Sequence, residues 1–305
     1  MNLDEQIKMA ESLRQPPEGS MPSQMELKPV QPPEVNKMEY DIPTGAGETK
    51  VWVFKPVKTS KHPLPVFVNL HGGGFILGSA EMDNHWCPVI ADRAECIVVN
   101  VEYQLAPENP FPAALHECYD VLTWLYEHPN ELQIDSNTLA IGGHSAGGNL
   151  ATAVCLLNIQ NGNKLPIVYQ VLDYPPLDLA TDPERKPAFA GGIPADVAKR
   201  FNTFYLQEED ARNPLVSPIF ADREALAHMP PALVITAEKD SLAEEAKQYA
   251  DKLKEAGVEV TYKQFKGVPH AFTHAGDLEI AEEAWHLMGD QLKKAFENRS
   301  VNRGI

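Results

Sequence analysis

The sequence predicts an α/β protein built on a mostly parallel sheet of eight strands, with helices covering both faces. Two observations carry that expectation. Eight short strand-like runs are separated, from the third onward, by stretches with helical spacing. One of these junctions, 139–157, passes from an apolar run through Gly-Gly-His-Ser-Ala-Gly-Gly into a helix-compatible run. Strands alternating with helices of that length favour parallel pairing with both sheet faces buried.

The chain has 305 residues, enough for one large α/β domain or two small ones, and 43% of them are apolar, as expected for a sizeable core. Leu3, Ile7, Ala10 and Leu13 recur at helical spacing and predict a short amphipathic helix. Residues 15–33 hold Pro16-Pro17 and Pro32-Pro33 and can form neither a long helix nor a central strand. Met21, Met25 and Leu27 in that stretch favour an extended arm packed over the protein. Residues 37–42 and 50–55, joined by Pro43-Thr44-Gly45-Ala46-Gly47, read as a β-hairpin. The run 65–70 is a buried strand leading into His71-Gly72-Gly73-Gly74-Phe75.

A helical stretch near 83–94, a strand at 96–101 and a helix at 111–128 follow. Beyond the Gly-rich junction come a strand at 167–172, a strand at 232–237, a helix at 242–256 closed by Gly257, a strand at 258–265 and a final helix over 277–296. Residues 181–216 interrupt this alternation. They begin polar and proline-broken, contain a helix at 195–206, and sit where a lid between core strands is usual.

The net charge of −17 argues against nucleic acid or an anionic membrane as partner, because both require a basic patch. Cys87, Cys96, Cys118 and Cys155 form no C-x-x-C pair, and two of them sit in apolar helical contexts typical of buried free thiols. The first residues show no basic, apolar signal pattern and no run is long enough to span a bilayer. A cytoplasmic chain without membrane insertion is the expectation, and a homodimer is left open.

Gly143-His144-Ser145-Ala146-Gly147 fits G-x-S-x-G in the strand–turn–helix context of a nucleophile elbow. A serine hydroxyl needs a base within hydrogen-bond reach and a group to orient that base. Of the downstream histidines, His286 lies mid-helix and His228 precedes a strand, whereas His270 emerges at the carboxyl end of one. His274, four residues on, could pair with His270 on a metal, but no third ligand is evident and no metal is expected. Asp240, Asp173 and Asp178 all follow strands and each could equally be a helix cap. Position favours Asp240, whose loop neighbours that of His270. Acyl transfer also needs oxyanion donors; the Ala146 amide follows the serine, and the 71–74 loop is of the HGGG type that supplies others. No Gly-Lys-Ser/Thr follows that loop, which excludes a P-loop.

Over most of residues 50–290 the chain resembles the HGGG-bearing, hormone-sensitive-lipase-like group of α/β-hydrolase esterases. The motifs that carry this are His71 to Phe75, Tyr103-Gln104-Leu105-Ala106-Pro107-Glu108 with Phe111-Pro112-Ala113-Ala114, Gly143 to Gly148, Asp240 with Glu244-Glu245, and His270-Ala271-Phe272. The resemblance implies an α/β-hydrolase fold, a Ser145–Asp240–His270 triad, and Gly73, Gly74 and Ala146 as oxyanion donors. It implies a small helical cap in two parts, residues 1–33 and 181–216, on a core of 34–180 and 217–299. Three positions depart from the group: Gln104 replaces its usual Arg, His144 its Asp before the serine, and Asp240-Ser241-Leu242 its Asp-Pro-Leu.

The expected activity is hydrolysis of small esters by a serine enzyme through an acyl-enzyme, without cofactor. Amide, lactone or peptide hydrolysis could use the same residues; a binding module with dead chemistry should lack a triad member, and all three are present. Phe189, Phe201, Phe204 and Tyr205 in the insertion, with Met21, Met25 and Leu27, would roof the site and favour acyl chains of about four to six carbons, each buried CH₂ contributing about 0.8 kcal/mol until the roof is met.

Overall fold

Side-chain alternation along the strands decides the layering. Val51 and Val53 face one core while Trp52 and Phe54 face the other, and Val66, Val68 and Leu70 oppose Phe67 in the same way. A sheet apolar on both faces must be covered on both. The computed structural model describes residues 2–14, 27, 31–59, 63–206 and 210–302. Its eight strands are β1 (Val35–Thr44), β2 (Gly47–Pro56), β3 (Leu64–Leu70), β4 (Ile97–Val101), β5 (Ile134–His144), β6 (Ile167–Asp173), β7 (Ala232–Lys239) and β8 (Val260–Pro269). They form one sheet in the order β1-β2-β4-β3-β5-β6-β7-β8. The β1–β2 and β2–β4 pairs are antiparallel and every other pair is parallel.

The helices are α1 (Leu3–Arg14), α2 (Cys87–Ala94), α3 (Ala113–Glu127), α4 (Pro129–Leu132), α5 (Ala146–Gln160), α6 (Ala195–Tyr205), α7 (Arg223–Leu226), α8 (Ala243–Glu255), α9 (Phe272–Ala275) and α10 (Leu278–Asn302). Buried residues of α1, α3, α5 and α8 cover one face of the sheet, and those of α2 and α10 the other. Helix α5 is buried almost all round, which explains its lack of a polar face. The hairpin strands run further than their sequence pattern suggested, so Thr44 pairs with Gly47 and only Gly45 and Ala46 form the turn.

The parallel register brings the strand ends together. Leu70 lies opposite Gly143, His144 opposite Asp173, Asp173 opposite Ile235, and Lys239 opposite Pro269. Consequently the residues that follow β3, β5, β7 and β8 share one edge, the carboxyl edge where open α/β sheets place ligands.

Within the interrupting segment, Phe204 and Tyr205 are buried, and Tyr205 stacks on Phe75 at 3.7 Å between ring centroids. Phe189, expected in the roof, is instead 40% exposed. Leu27 is buried within the cluster on the α2/α10 face, while Met21 and Met25 lie outside the described residues. Helix α1 is fastened beside the 71–75 loop by Arg14. Its guanidinium donates to the carbonyls of Ile76 and Ala106, both at 2.8 Å, and pairs in bidentate fashion with Glu108 at 2.7 and 2.8 Å. All four cysteines are buried and free.

Candidate active site

Ser145 sits between β5 and α5 with φ 51° and ψ −121°, a backbone that costs a non-glycine residue of order 1–3 kcal/mol and lifts its side chain out of the sheet. The turn closes only because its flanks lack side chains: a Cβ on Gly147 would lie 1.9 Å from the Leu70 carbonyl oxygen, and one on Gly143 2.3 Å from it. The Ser145 amide donates to the Asp173 carbonyl at 2.8 Å, which fastens the turn to the end of β6.

His270 follows β8, and its Nε2 lies 3.0 Å from Ser145 Oγ. Its Nδ1 lies 2.7 Å from Asp240 Oδ2, and Asp240 Oδ1 accepts the Leu242 amide at 3.1 Å. The Asp240 side chain is fully buried and that of His270 10% exposed. The three residues that the sequence singled out therefore form one continuous hydrogen-bonded line.

The competing acids make no hydrogen bond to His270. Asp173 accepts the Thr273 hydroxyl at 2.9 Å, and burial pushes its carboxyl well above the usual range. Asp178 caps a turn through the Ala180 and Thr181 amides. His228 and His286 are exposed, and neither lines the cavity at Ser145.

His270 and His274 do not face each other. Ala271 adopts φ 60°, and α9 begins only at Phe272, so the two histidines do not share one helical turn. His274 points instead to Asp83, with Nε2 to Oδ1 at 2.9 Å, and its ring stacks on that of His144 at 3.8 Å. Asp83, His144 and His274 thus bring one ligand-type atom each within 4.8 Å of one another, a cluster invisible to sequence spacing. It does not suit a resident divalent ion. The Gly72 amide donates to His144 Nε2 at 2.9 Å, which puts the ring proton on Nδ1, the nitrogen facing Asp83, and leaves no lone pair there.

The loop after β3 runs past the serine. Gly73 and Gly74 have φ of 123° and 63°, which glycine alone adopts freely. A Cβ on Gly74 would meet the Phe201 ring of α6 at 2.2 Å, so the inserted helix rests directly on this loop. Tyr103 Oη donates to the His71 carbonyl at 2.7 Å and its ring stacks on the His71 imidazole, which accounts for the tyrosine of the 103–108 motif. Ala146 opens α5, where amides have no acceptor within the helix and the macrodipole favours negative charge.

These parts line a cavity of about 320 Å³ bounded by Gly72 to Phe75, Ser145, Tyr174 and His270 on the core side, and by Lys186, Ile193 and Phe201 of the insertion. Among the described residues, none of 1–33 lines it. Sequence reasoning missed one pair that ties the insertion down. Lys186 lies 2.5 Å from buried Glu245 of α8, whose Oε1 accepts the amides of Leu177 and Asp178.

A strand–Ser–helix elbow, a His–Asp pair aligned on the hydroxyl and a glycine loop across the cavity define a hydrolase-type site on a mostly parallel α/β sheet. Residues 67–274 match the profile of the alpha/beta hydrolase fold, and the chain belongs to that family, in its hormone-sensitive-lipase-like branch. It is 34% identical to an arylesterase of Saccharolobus solfataricus, over 85% of this chain and 81% of that one. It is 32% identical to carboxylesterase NlhH of Mycobacterium tuberculosis, over 82% and 78%. Among solved structures, the hyperthermophilic esterase of Pyrobaculum calidifontis superposes with a TM-score of 0.77 at 33% identity, covering 96% of this chain and 92% of that one. No helix among the described residues is long and apolar enough to cross a membrane.

Proposed function

We propose that the chain is a serine carboxylesterase that hydrolyses short-chain acyl esters through an acyl-enzyme. The observation that carries this reading is the unbroken line Ser145 Oγ–His270 Nε2 at 3.0 Å and His270 Nδ1–Asp240 Oδ2 at 2.7 Å, opening into one cavity. Esterase relatives at about a third identity support the reaction class. Ser145 Oγ attacks the ester carbonyl while His270 Nε2 takes the hydroxyl proton, and Asp240 holds Nδ1–H and stabilises the imidazolium. The Gly73, Gly74 and Ala146 amides receive the oxyanion. Collapse expels the alcohol with the proton from His270, and water repeats the sequence to release the acid.

The cavity is at the small end of ligand pockets, and Phe201 closes it above Gly74, which supports acyl chains of about four to six carbons. Buried free thiols support a cytoplasmic setting. The test is a series of p-nitrophenyl esters of rising acyl length, with matched anilides and lactones as controls. Turnover should peak at short acyl esters and be far lower on the controls; a preference for the anilide or the lactone would assign the same residues to a different bond.

A further inference from the structure

His144 stands where the resemblance leads one to expect an aspartate, and neither its burial nor its contacts are those of a spacer. The side chain is 6% exposed, and its ring is clamped between His274, stacked at 3.8 Å, and the edges of Trp86 and Tyr174 at 6.3 and 6.2 Å. Its Nε2 accepts the Gly72 amide at 2.9 Å, and a Cβ on Gly72 would lie 2.7 Å from the ring, so the loop backbone rests on the imidazole itself. Accepting from an amide requires a neutral ring with its proton on Nδ1. Burial pushes the imidazole well below its ordinary range and keeps it in that state. Nδ1 then lies 3.7 Å from Asp83 Oδ2, too long for a hydrogen bond but correctly signed: an N–H dipole aimed at a buried carboxylate. Asp83 is itself fixed by Asn69 Nδ2 at 2.7 Å and His274 Nε2 at 2.9 Å.

We infer that His144 is a positioning residue: through the Gly72 amide it sets the height of the Gly73–Gly74 segment over Ser145, and Asp83 beneath it sets the ring's tautomer. This deepens the esterase reading above and rests on it. It also explains why an aspartate would not serve here. A carboxylate at 144 would bring a second buried negative charge against Asp83, and like charges in one buried site cannot both stay ionised.

The experiment compares His144→Ala, His144→Gln and His144→Asp by kcat and KM on a short-chain p-nitrophenyl ester, by Ki for a short-chain trifluoromethyl ketone, which forms an oxyanion on the serine, and by Tm. For the alanine variant kcat should fall about 100-fold, the scale of a misplaced or lost oxyanion donor, with Ki rising in step and KM moving less than about threefold. Glutamine offers an acceptor near the position of Nε2 and should recover most of that loss. Aspartate should be no better than alanine, and adding Asp83→Asn to it should restore turnover. Should the alanine variant fail to fold, the glutamine–aspartate contrast still decides. Unchanged kcat in the alanine variant, aspartate equal to the parent, or a loss confined to KM and Tm would overturn the inference. A parent that hydrolyses no ester and takes up no organophosphate at Ser145 would overturn the esterase reading with it, which separates the two failures.

Discussion

Substituting Lys186 by methionine should produce a stability deficit that widens as pH rises above neutral. Lys186 is the link between the inserted segment and α8. Its Nζ lies 2.5 Å from Glu245 Oε2 and donates to the Asp178 carbonyl at 2.7 Å. Burial raises the Glu245 carboxyl to about 7, against the pull of Lys186 and two backbone amides. The folded value is above the ordinary 4.5, so the protonated form is favoured by folding, and stability falls as pH rises from 4.5 to about 7. Above 7 the parent's Glu245 is ionised and paired, and the slope ends. Methionine keeps the packing of the stem but removes the cation, so the carboxyl holds its proton to higher pH and the slope continues. At pH 7 parent and variant bear nearly the same cost for the Glu245 proton, so the difference between them is little beyond one charged hydrogen bond, about 1.5–3 kcal/mol. Each further pH unit adds up to about 1.4 kcal/mol, or about 2.7 kcal/mol by pH 9. For a chain of 305 residues an unfolding entropy near 0.6 kcal/mol/K turns that increment into a Tm difference of about 4 °C. Thermal scans of parent and variant from pH 6 to 9 read it directly, with Glu245→Gln in both backgrounds as control. A deficit that stays flat above pH 7, or that persists as a slope when Glu245 is glutamine, would show that the Glu245 proton does not govern it.

Three further outcomes are expected. Asp240→Asn should lower kcat by about 10⁴, the scale for losing the imidazole tautomer, while Asp173→Asn, whose carboxyl accepts from Thr273 and not from His270, should cost far less; steady-state kinetics on one ester distinguishes them. Phe201→Ala should move the acyl-length optimum upward, with about fourfold in kcat/KM for each additional CH₂ that the opened roof accommodates, read from the p-nitrophenyl ester series. Deleting residues 1–33 removes the Arg14 anchor on Ile76, Ala106 and Glu108, and should weaken activity or acyl selectivity more than it disturbs the core, as seen by comparing the ester profile with Tm; an unchanged profile and Tm would show that segment to be dispensable.

What the sequence disclosed was what short-range chemistry encodes. The elbow at Ser145, the glycine loop at 71–74 and the histidine after the last strand are contiguous signals whose glycines report steric need directly, and the mostly parallel sheet with its site edge follows from the alternation of strands and helices, whereas the strand order had no such signal. The choice of Asp240 over Asp173 rested on adjacency of loops; side-chain direction at a strand end depends on local irregularity, and a register shift lies between Ala237 and Lys239 just before Asp240. The Asp83–His274 contact spans 191 residues, and the positive φ of Ala271 that turns His274 away from His270 has no glycine to announce it. The same limit hid the Lys186–Glu245 pair, because which polar residues of a lid meet a core helix is fixed only by tertiary packing.

The claim that Ser145 is acylated is tested most directly by mass. Incubation with diethyl p-nitrophenyl phosphate, followed by intact-mass and peptide analysis, should show a single diethylphosphoryl group, carried on Ser145, with loss of esterase activity in proportion to labelling. Ser145→Ala should take up no label and lose turnover by a factor on the order of 10⁶ while keeping its Tm. Inactivation with the label on another residue, or a Ser145→Ala protein that still turns over ester near the parent rate, would contradict the account.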